Sequence, residues 1–370
     1  MVINMKHVHG NTLWNNDYKE ETSYKPLKDN IKTNILIIGG GISGAITAYY
    51  MSLLNKNIVV VEKDIIGMSS TRATTALLEY QLDNLIIKDN NKDYINMFSY
   101  CKYAIIDIKD ICNKVKCPYK IVDCIIYTNK KSDLTKLKKE EKKRTKLGYD
   151  VEYKANKLIG NNLSIVLNPY EFTNKVFKYL KDKITIYENT KIISNDKGIA
   201  VTNNDYIINN DYIIWCNGFD FDLKKNVDIY NTYTIVTNKI DKINNNFSGK
   251  NLKTPYNYIR FTSDNRIVYG GADSYYKDEL TNKQILAKYN TLHKELIKLF
   301  PTLDIKIDYS YYGTFIDTKD NLPIIDEFKK NNFCNLGYGA NGVLFSLVGA
   351  KLIYNRIKTN KKIPNCYKIR

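Results

Sequence analysis

Residues 34–63 read NILIIGGGISGAITAYYMSLLNKNIVVVEK, and their pattern of apolar residues and glycines is the strongest indication of the fold. It starts with an apolar run at 35–38, continues with apolar residues at helical spacing over 42–54, and ends with a second apolar run at 58–61. Continuous apolar runs of this length are typical of parallel strands that are covered on both faces. The stretch therefore predicts a β-α-β unit.

Three glycines mark the turn between the first predicted strand and the helix. Gly39, Gly41 and Gly44 occupy the positions of a G-x-G-x-x-G motif. The first permits a tight turn, the second lets the backbone approach a pyrophosphate, and the third lets the helix pack against the strand. Glu62 follows 23 residues after Gly39, where a carboxylate can accept hydrogen bonds from an adenosine ribose. The unit predicts dinucleotide binding, although alone it does not distinguish FAD from NAD.

The composition is that of a globular protein with two or three domains. The chain has 370 residues, of which 44% are hydrophobic and 26% are charged. Its formal net charge of +17 includes a dense lysine cluster over 130–146, but Glu140 and Glu141 interrupt that cluster. Such a run is typical of a solvated helix face, so we expect no nucleic-acid partner.

Cysteine usage and hydropathy indicate the compartment. The seven cysteines include no C-x-x-C pair, and the three histidines form no ligand spacing with them, so we expect no metal site. The odd cysteine count suits a reducing environment. No secretory segment begins at Met1, and no apolar stretch reaches the length of a membrane span. We therefore predict a cytoplasmic protein without a membrane span.

The segment after Glu62 indicates which dinucleotide is bound. It reads KDIIGMSSTRATTALLEYQLD over 63–83. It resembles the segment with which the superfamily of D-amino-acid oxidase, glycine oxidase and sarcosine oxidase wraps the flavin pyrophosphate and ring. Further segments resemble the same superfamily in order along the chain: 13–14 with 24–27, 211–218, 258–260, 266–273, 313–315, 318–325 and 337–342. The resemblance covers almost the whole chain and implies that the dinucleotide is FAD.

The glycine motif and the resemblance together define the expected FAD site. The candidate cofactor-binding residues are Gly39, Gly41, Ile42, Ser43, Gly44, Glu62, Lys63, Ser70, Thr71, Thr74, Ile192, Gly218, Gly313, Gly339, Asn341, Gly342 and Val343. Helical spacing over 343–356 predicts a second helix whose N-terminus faces a ligand, and in the family that ligand is the flavin ring. Relatives that bind flavin covalently carry cysteine where this chain has Gly313, so we expect noncovalent FAD.

The resemblance also implies the architecture. The expected fold class is α/β, with an FAD-binding Rossmann-like domain of the glutathione-reductase type and a mainly antiparallel β substrate domain. The FAD-binding domain would consist of residues 30–85, 160–225 and 310–370, and the substrate domain of 86–159 and 226–309, after an N-terminal arm over 1–29. Local patterns predict helices over 94–116, 132–146 and 284–300, and strands over 230–237, 256–262 and 266–271.

The family oxidises a carbon–nitrogen single bond of an amino acid or amine by hydride transfer to flavin N5. In its amino-acid-oxidising members an arginine pairs with the substrate carboxylate, but this chain has Phe315 at that position. Arg260 or Arg72 could replace the arginine, and Tyr258 or Tyr312 could form a hydrogen bond with the substrate; each also has a structural interpretation, such as a surface ion pair for Arg260.

Two features leave the reaction open. A subgroup with a similar loop often carries a Rieske domain whose ligand pairs are absent from this sequence, so electrons would pass to oxygen or another acceptor. The missing arginine also fits a dehydrogenase of a hydroxy acid or other non-amine. A flavoprotein that serves as a redox partner is a third reading.

Overall fold

The computed structural model of the chain describes residues 8–18, 22–88, 91–218, 221, 227–241, 243–278, 280–337, 339 and 341–369. The helices are α1 (Leu13–Asp17), α2 (Ile42–Met51), α3 (Lys92–Val115), α4 (Lys131–Lys146), α5 (Pro169–Tyr179), α6 (Asn282–Leu299) and α7 (Gly342–Thr359). The first nine strands are β1 (Val8–Gly10), β2 (Ile31–Ile38), β3 (Ile58–Val61), β4 (Leu77–Glu79), β5 (Tyr119–Tyr127), β6 (Val151–Lys154), β7 (Lys157–Leu167), β8 (Thr185–Tyr187) and β9 (Ile192–Asp196). The others are β10 (Ile199–Thr202), β11 (Ile207–Trp215), β12 (Val227–Thr237), β13 (Phe247–Asn251), β14 (Tyr258–Phe261), β15 (Ile267–Tyr275), β16 (Ile307–Thr318), β17 (Ile324–Lys329) and β18 (Asn332–Leu336).

Within these residues the strands form two sheets, and the smaller one contains the glycine motif. Its main path runs β17-β18-β11-β2-β3-β8, and the five strands from β18 to β8 are parallel. Alternate residues of β2 and β3 enter two different cores. Ile35 and Ile37 pack with α2, α5 and α7, whereas Leu36 and Ile38 pack with residues of β9 and β10. Burial of both faces explains the continuous apolar runs.

The larger sheet is mainly antiparallel. It runs β1-β16-β12-β15-β14-β13-β5-β7-β4, and β6 pairs with β7. Helix α6 covers one face, where Leu292 and Leu296 pack with Tyr233, Ile235 and Phe261. The strands alternate their side chains between faces. The opposite face is therefore available to the segments that follow β3.

The predicted fold class is confirmed, and most predicted elements are present with shifted ends. The helix expected over 42–54 is α-helical only to Met51, after which a 3₁₀ turn over Ser52–Leu54 ends at Asn55 with φ +44°. The pattern did not predict β5, β7 or β13, whose polar residues obscure the alternation and whose pairing partners lie far away in sequence. Strands β4, β7 and most of β16 pair in the larger sheet although the expected division assigns their residues largely to the FAD-binding domain. The division itself remains a prediction.

Candidate functional site

The carboxyl ends of the parallel strands meet along one edge of the smaller sheet. The glycine turn follows β2, Glu62 follows β3, Gly218 lies just beyond β11, and Gly337 follows β18. Helices α2 and α7 also begin at this edge, so their N-termini with free N–H groups lie there. In open α/β sheets this edge, where the strand order changes direction, is the usual position of a ligand.

The glycine turn is tight because it packs against backbone. Gly39 has φ +111°, and a Cβ on it would lie 2.6 Å from the carbonyl oxygen of Cys216. A Cβ on Gly44 would collide with the carbonyl oxygen of Gly39. Neither contact can relax by moving a side chain. The two glycines therefore let α2 begin directly above the end of β2.

Thr71 closes the turn on the loop side. Its Oγ1 accepts a hydrogen bond from the backbone N–H of Ile42 at 3.0 Å, and a Cβ on Gly41 would lie 3.1 Å from the same oxygen. The loop is itself ordered by a 3₁₀ turn over Ser70–Arg72, in which the carbonyl of Ser70 accepts from the N–H of Thr74 at 3.0 Å. This arrangement leaves a cradle at the start of α2 that a side chain at 41 would fill.

Glu62, the residue predicted to bind the adenosine ribose, follows β3 beside the glycine turn. Its Oε2 accepts from the N–H of Gly40 at 2.7 Å, and its Oε1 accepts from the N–H of Asp64 at 3.0 Å. Burial raises the pKa of this carboxyl. Each oxygen keeps further acceptor capacity for ribose hydroxyls, since a carboxylate offers about four lone-pair sites. The neighbouring charge of Lys63 acts in the opposite direction on the pKa.

The second helix start belongs to α7. The N–H of Gly339 donates to the carbonyl of Ile316 at 2.8 Å, and Gly339 has φ +84°. Asn341 precedes the helix without capping it, because its Nδ2 donates to the carbonyl of Gln81. Tyr338 and Ala340 of the predicted signature lie outside the described residues. Gly342 begins α7, and Val343, the next residue of this helix, is buried.

The other candidate residues surround this edge. The Oγ of Ser43 donates to the carbonyl of Asn335 at 3.0 Å, so β18 and α2 are joined at their cofactor ends. Ile192 is buried at the start of β9 in the core that includes Leu36. Gly218, with φ +53°, faces open space. The buried Oδ1 of Asn217, beside it, has no hydrogen-bond partner within the described residues.

The donor set fits a dinucleotide. Two helix N-termini and a glycine cradle suit a pyrophosphate, the Glu62 carboxylate suits a ribose, and an unpartnered amide oxygen borders the open space. In the part of the chain that the structure describes, no group of three His, Cys, Asp or Glu residues could hold a metal ion. No helix among these residues has the length and apolarity needed to cross a bilayer.

One face of the larger sheet lies opposite the cofactor edge. A Cβ on Gly313 in β16 would lie 2.9 Å from the Cβ of Ala73, in the loop that carries Thr71. Four residues further along β16, Asp317 lies beside Gly339: a Cβ on Gly339 would be 3.5 Å from the Oδ1 of Asp317. Side chains of a strand alternate, so Phe315 shares the face of Gly313 and Asp317. We call this face the site face.

Tyr258 belongs to the site face and Tyr312 does not. The ring of Tyr258 lies over Gly270, and its hydroxyl is 2.9 Å from the Oγ1 of Thr232, which pairs with Gly313. Tyr312 alternates to the α6 side, where its ring is 5.4 Å from that of Tyr233. The prediction that Tyr312 binds substrate therefore needs correction, because strand alternation points it away from the cofactor edge.

Arg260 is on the site face but is held by the protein. One of its terminal nitrogens donates to the carbonyls of Thr75, Ala76 and Leu167 at 2.9, 2.9 and 3.0 Å. Its guanidinium carbon lies 4.8 Å from the centroid of the Trp14 ring. Burial lowers its pKa, and only 2% of the residue is exposed. These contacts make Arg260 a structural link between β14, the loop before β4 and the N-terminal arm, although its buried Nε has no hydrogen-bond partner among the described residues.

Arg72 lies nearer the surface. Its Nε donates to the carbonyl of Met68 at 2.8 Å, within its own loop, and burial lowers its pKa. Thr74 is also turned inward, since its Oγ1 accepts from the N–H of Ala76 at 3.2 Å. Arg72 follows Thr71 in the same 3₁₀ turn, so it belongs to the loop that borders the start of α2.

Sequence reasoning missed the polar and aromatic residues that line the site face. Tyr230 stacks with Phe315 at 5.5 Å, and both pair across β12 and β16. Burial, with the negative charge of Asp83 next in effect, raises the pKa of Asp317 to about 7. Burial is also the largest cause that raises the pKa of Asp273 to about 6. Two-residue alternation from Phe315 could have identified Asp317, but the bulge in β15 concealed Asp273.

Sequence comparisons find relatives of this chain. A family model described as FAD dependent oxidoreductase matches residues 34–356. A Bacillus subtilis (strain 168) protein, YhfW, a Rieske 2Fe-2S iron-sulfur protein by its name, is 26% identical over 217 residues, covering 54% of this chain and 43% of that protein. The gamma-glutamylputrescine oxidoreductase of Escherichia coli (strain K12) is 32% identical over 97 residues, which cover 26% of this chain and 22% of that protein. This chain thus spans less than half of either curated relative.

A solved structure shows the same fold over nearly the whole chain. The L-proline dehydrogenase from P. horikoshii aligns with a TM-score of 0.77 and 17% identity, covering 92% of this chain and 97% of that one. At this identity the likeness concerns the fold alone. It agrees with the two-sheet architecture described above.

Proposed function

This chain belongs to the family of FAD dependent oxidoreductases, and from that premise we propose that it oxidises a carbon–nitrogen single bond of an amine or amino acid. The observation that supports the reaction type is the site face of the larger sheet, which holds partly exposed aromatic and carboxylate side chains between two cofactor-binding segments. FAD is the family's cofactor, and the residues of the cofactor edge fit it.

Specific residues would hold the cofactor. The start of α2 with Gly41 and Thr71 would receive the pyrophosphate, Glu62 the adenosine ribose, and the start of α7 the flavin end. When bound, FAD supplies the two-electron acceptor, at N5, for a hydride that leaves the carbon next to nitrogen. Loss of a hydride would leave the neutral amine as an iminium ion, which water would convert to a carbonyl compound and the protonated form of ammonia or of a second amine.

The chain's own contribution is to deliver a neutral amine in a fixed orientation. An amine must lose its proton before its carbon–hydrogen bond becomes a good hydride donor. Asp317 and Asp273, whose pKa values burial raises to about 7 and about 6, could take that proton at neutral pH. Tyr258, Phe315 and Tyr230 would orient the substrate and exclude water.

The electron acceptor and the setting belong to the same proposal. We propose oxygen or a separate protein or small molecule as the acceptor. The cytoplasm is the proposed compartment, because all seven cysteines are free thiols.

Product analysis tests the reaction class. Protein reconstituted with FAD would be incubated aerobically with primary amines, secondary amines, amino acids and hydroxy acids. Ammonia or a released second amine, in equimolar amount with a carbonyl compound, is the expected result. Carbonyl formation from hydroxy acids alone would replace this proposal with a non-amine dehydrogenase, the alternative that the missing arginine also allows.

A further inference from the structure

On the site face, an aromatic stack stands at the position where the family's carboxylate-binding arginine is expected, and Arg260 is bonded to backbone carbonyls. Phe315 lies 5.5 Å from Tyr230 with 24° between the ring planes, and Tyr230 lies 4.8 Å from Tyr275. The faces of aromatic rings carry partial negative charge, so they attract cations and offer a carboxylate nothing. This wall occupies the space between Ala73 and Gly339, the two cofactor-binding segments.

Carboxylates border the same stack. A hydrogen bond with Thr232, two residues from Tyr230 in β12, acts against the rise in the pKa of Asp273, but the Oδ1 of this carboxylate is buried without a partner among the described residues. Asp317 lies at the other end of the stack, beside Gly339, and accepts from the N–H of Thr318 at 2.9 Å. A buried acceptor without a donor costs free energy, so a ligand that supplies a donor would recover that cost.

Positive charge nearby is already engaged. Lys250 is 3.3 Å from a carboxylate oxygen of Asp83 and also donates to the carbonyl of Leu82 at 2.9 Å. Lys288 donates to the carbonyl of Ala272 at 2.7 Å and is close enough to Asp273 to act against the rise in its pKa. Asp83 and Asp228 add negative charge around Asp317. The charge balance of the site face therefore favours a cation.

We propose that the substrate is an amine cation with no carboxylate on the adjacent carbon, bound between the rings of Phe315 and Tyr230 and the carboxylates of Asp317 and Asp273. This inference rests on the proposed function and narrows its substrate class to simple amines, diamines or polyamines. The stack holds the cation over aromatic faces, and either carboxylate can then receive its proton.

Binding of non-oxidisable probes tests the inference without turnover. The full chain loaded with FAD would be titrated calorimetrically at constant ionic strength with tetramethylammonium and, separately, with pivalate, a carboxylate of similar bulk. The wild-type protein should bind tetramethylammonium at least about 10-fold more tightly than pivalate. Asp317→Asn and Asp273→Asn should each weaken the cation on the order of 10-fold, whereas the surface variant Asp182→Asn should leave it unchanged.

A gain-of-function variant guards against misfolding as an explanation. Phe315→Arg restores the family's arginine, so it should lose tetramethylammonium and gain pivalate while retaining the FAD absorption bands. Equal or tighter binding of pivalate by the wild type would overturn the inference, and so would cation binding that is insensitive to both aspartate variants. Reduction of FAD by α-amino acids alone would refute this substrate class but leave the proposed function intact; reduction by neither class would refute both.

Discussion

The Oγ1 of Thr71 accepts a hydrogen bond from the backbone N–H of Ile42 at 3.0 Å, so the loop after β3 is tied to the first turn of α2. Removing the hydroxyl frees one helix-start N–H and releases the loop that would cover the pyrophosphate. We expect Thr71→Val to weaken FAD binding by about 10-fold, near the value of one hydrogen bond to a charged site. Equilibrium dialysis measures the affinity, and Thr71→Ser, which keeps the hydroxyl, serves as the control. Equal loss in both variants would contradict this role.

Two glycines of one motif should respond differently to alanine. Gly41→Ala places a Cβ 3.1 Å from Thr71 Oγ1, within the cradle, so the fold should persist while FAD affinity falls by at least about 10-fold. Gly44→Ala forces a Cβ onto the backbone oxygen of Gly39, so it should cost about 3 kcal/mol or more of folding free energy. Urea unfolding and FAD titration of both variants separate the two effects. A stable Gly44→Ala protein with unchanged unfolding would contradict the packing described.

Arg260 should matter for stability more than for substrate binding. The substitution Arg260→Met removes the guanidinium nitrogen that donates to the carbonyls of Thr75, Ala76 and Leu167. It also removes the contact between the guanidinium and the Trp14 ring. We expect a loss of about 3 kcal/mol in the free energy of unfolding, measured by urea titration. A variant with wild-type stability but a raised KM for amino acids would instead support the role of carboxylate clamp.

Strand alternation gives a matched pair of tyrosine variants. Tyr258→Phe removes a hydroxyl on the site face that bonds to Thr232, and we expect kcat/KM to fall by about 5- to 10-fold. Tyr312→Phe changes the opposite face, beside Tyr233, and should leave kcat/KM unchanged. Steady-state kinetics with the first amine found to reduce the flavin provides the measurement. A larger effect at Tyr312 than at Tyr258 would mean that the site face has been assigned wrongly.

The raised pKa of Asp317 predicts how stability depends on pH. Because burial raises this pKa from 3.8 to about 7, the folded state binds the proton more tightly than the unfolded state. The free energy of unfolding contributed by this group therefore falls as the pH rises from about 4 to about 7. The Asp317→Asn variant has no buried carboxylate to ionise. The Tm of this variant should therefore exceed that of the wild type by about 2 °C at pH 8, with no such gain at pH 4. A gain that is equal at both pH values would show that ionisation is not the cause.

The nucleotide-binding β-α-β unit could be predicted from the sequence because its signals are local. Gly39, Gly44 and Glu62 lie in one β-α-β unit, where strand, turn and helix follow each other within thirty residues. Recognition of the family then identified FAD. The arrangement of the larger sheet was harder to predict, since β12 pairs with both β15 and β16 across long separations.

The side chains of the site face show where sequence reasoning fails. Whether Tyr258 or Tyr312 faces the cofactor depends on which alternate residues of each strand point to the site face. A single β-bulge, such as the one between Asn231 and Tyr233, exchanges the two faces for all the residues that follow. An arginine in a strand that resembles the family suggests a carboxylate clamp, but the sequence pattern gives no sign that the carbonyls of Thr75 and Leu167, far away in the chain, accept hydrogen bonds from Arg260.

Whether this chain is an FAD-dependent amine oxidoreductase can be tested by recording the visible spectrum of the purified protein during an anaerobic titration. The protein, reconstituted with FAD, should show flavin absorption bands that bleach when simple amines are added and stay unchanged with hydroxy acids. Bound flavin that no amine or amino acid reduces, or protein that retains no FAD after reconstitution, would contradict the account.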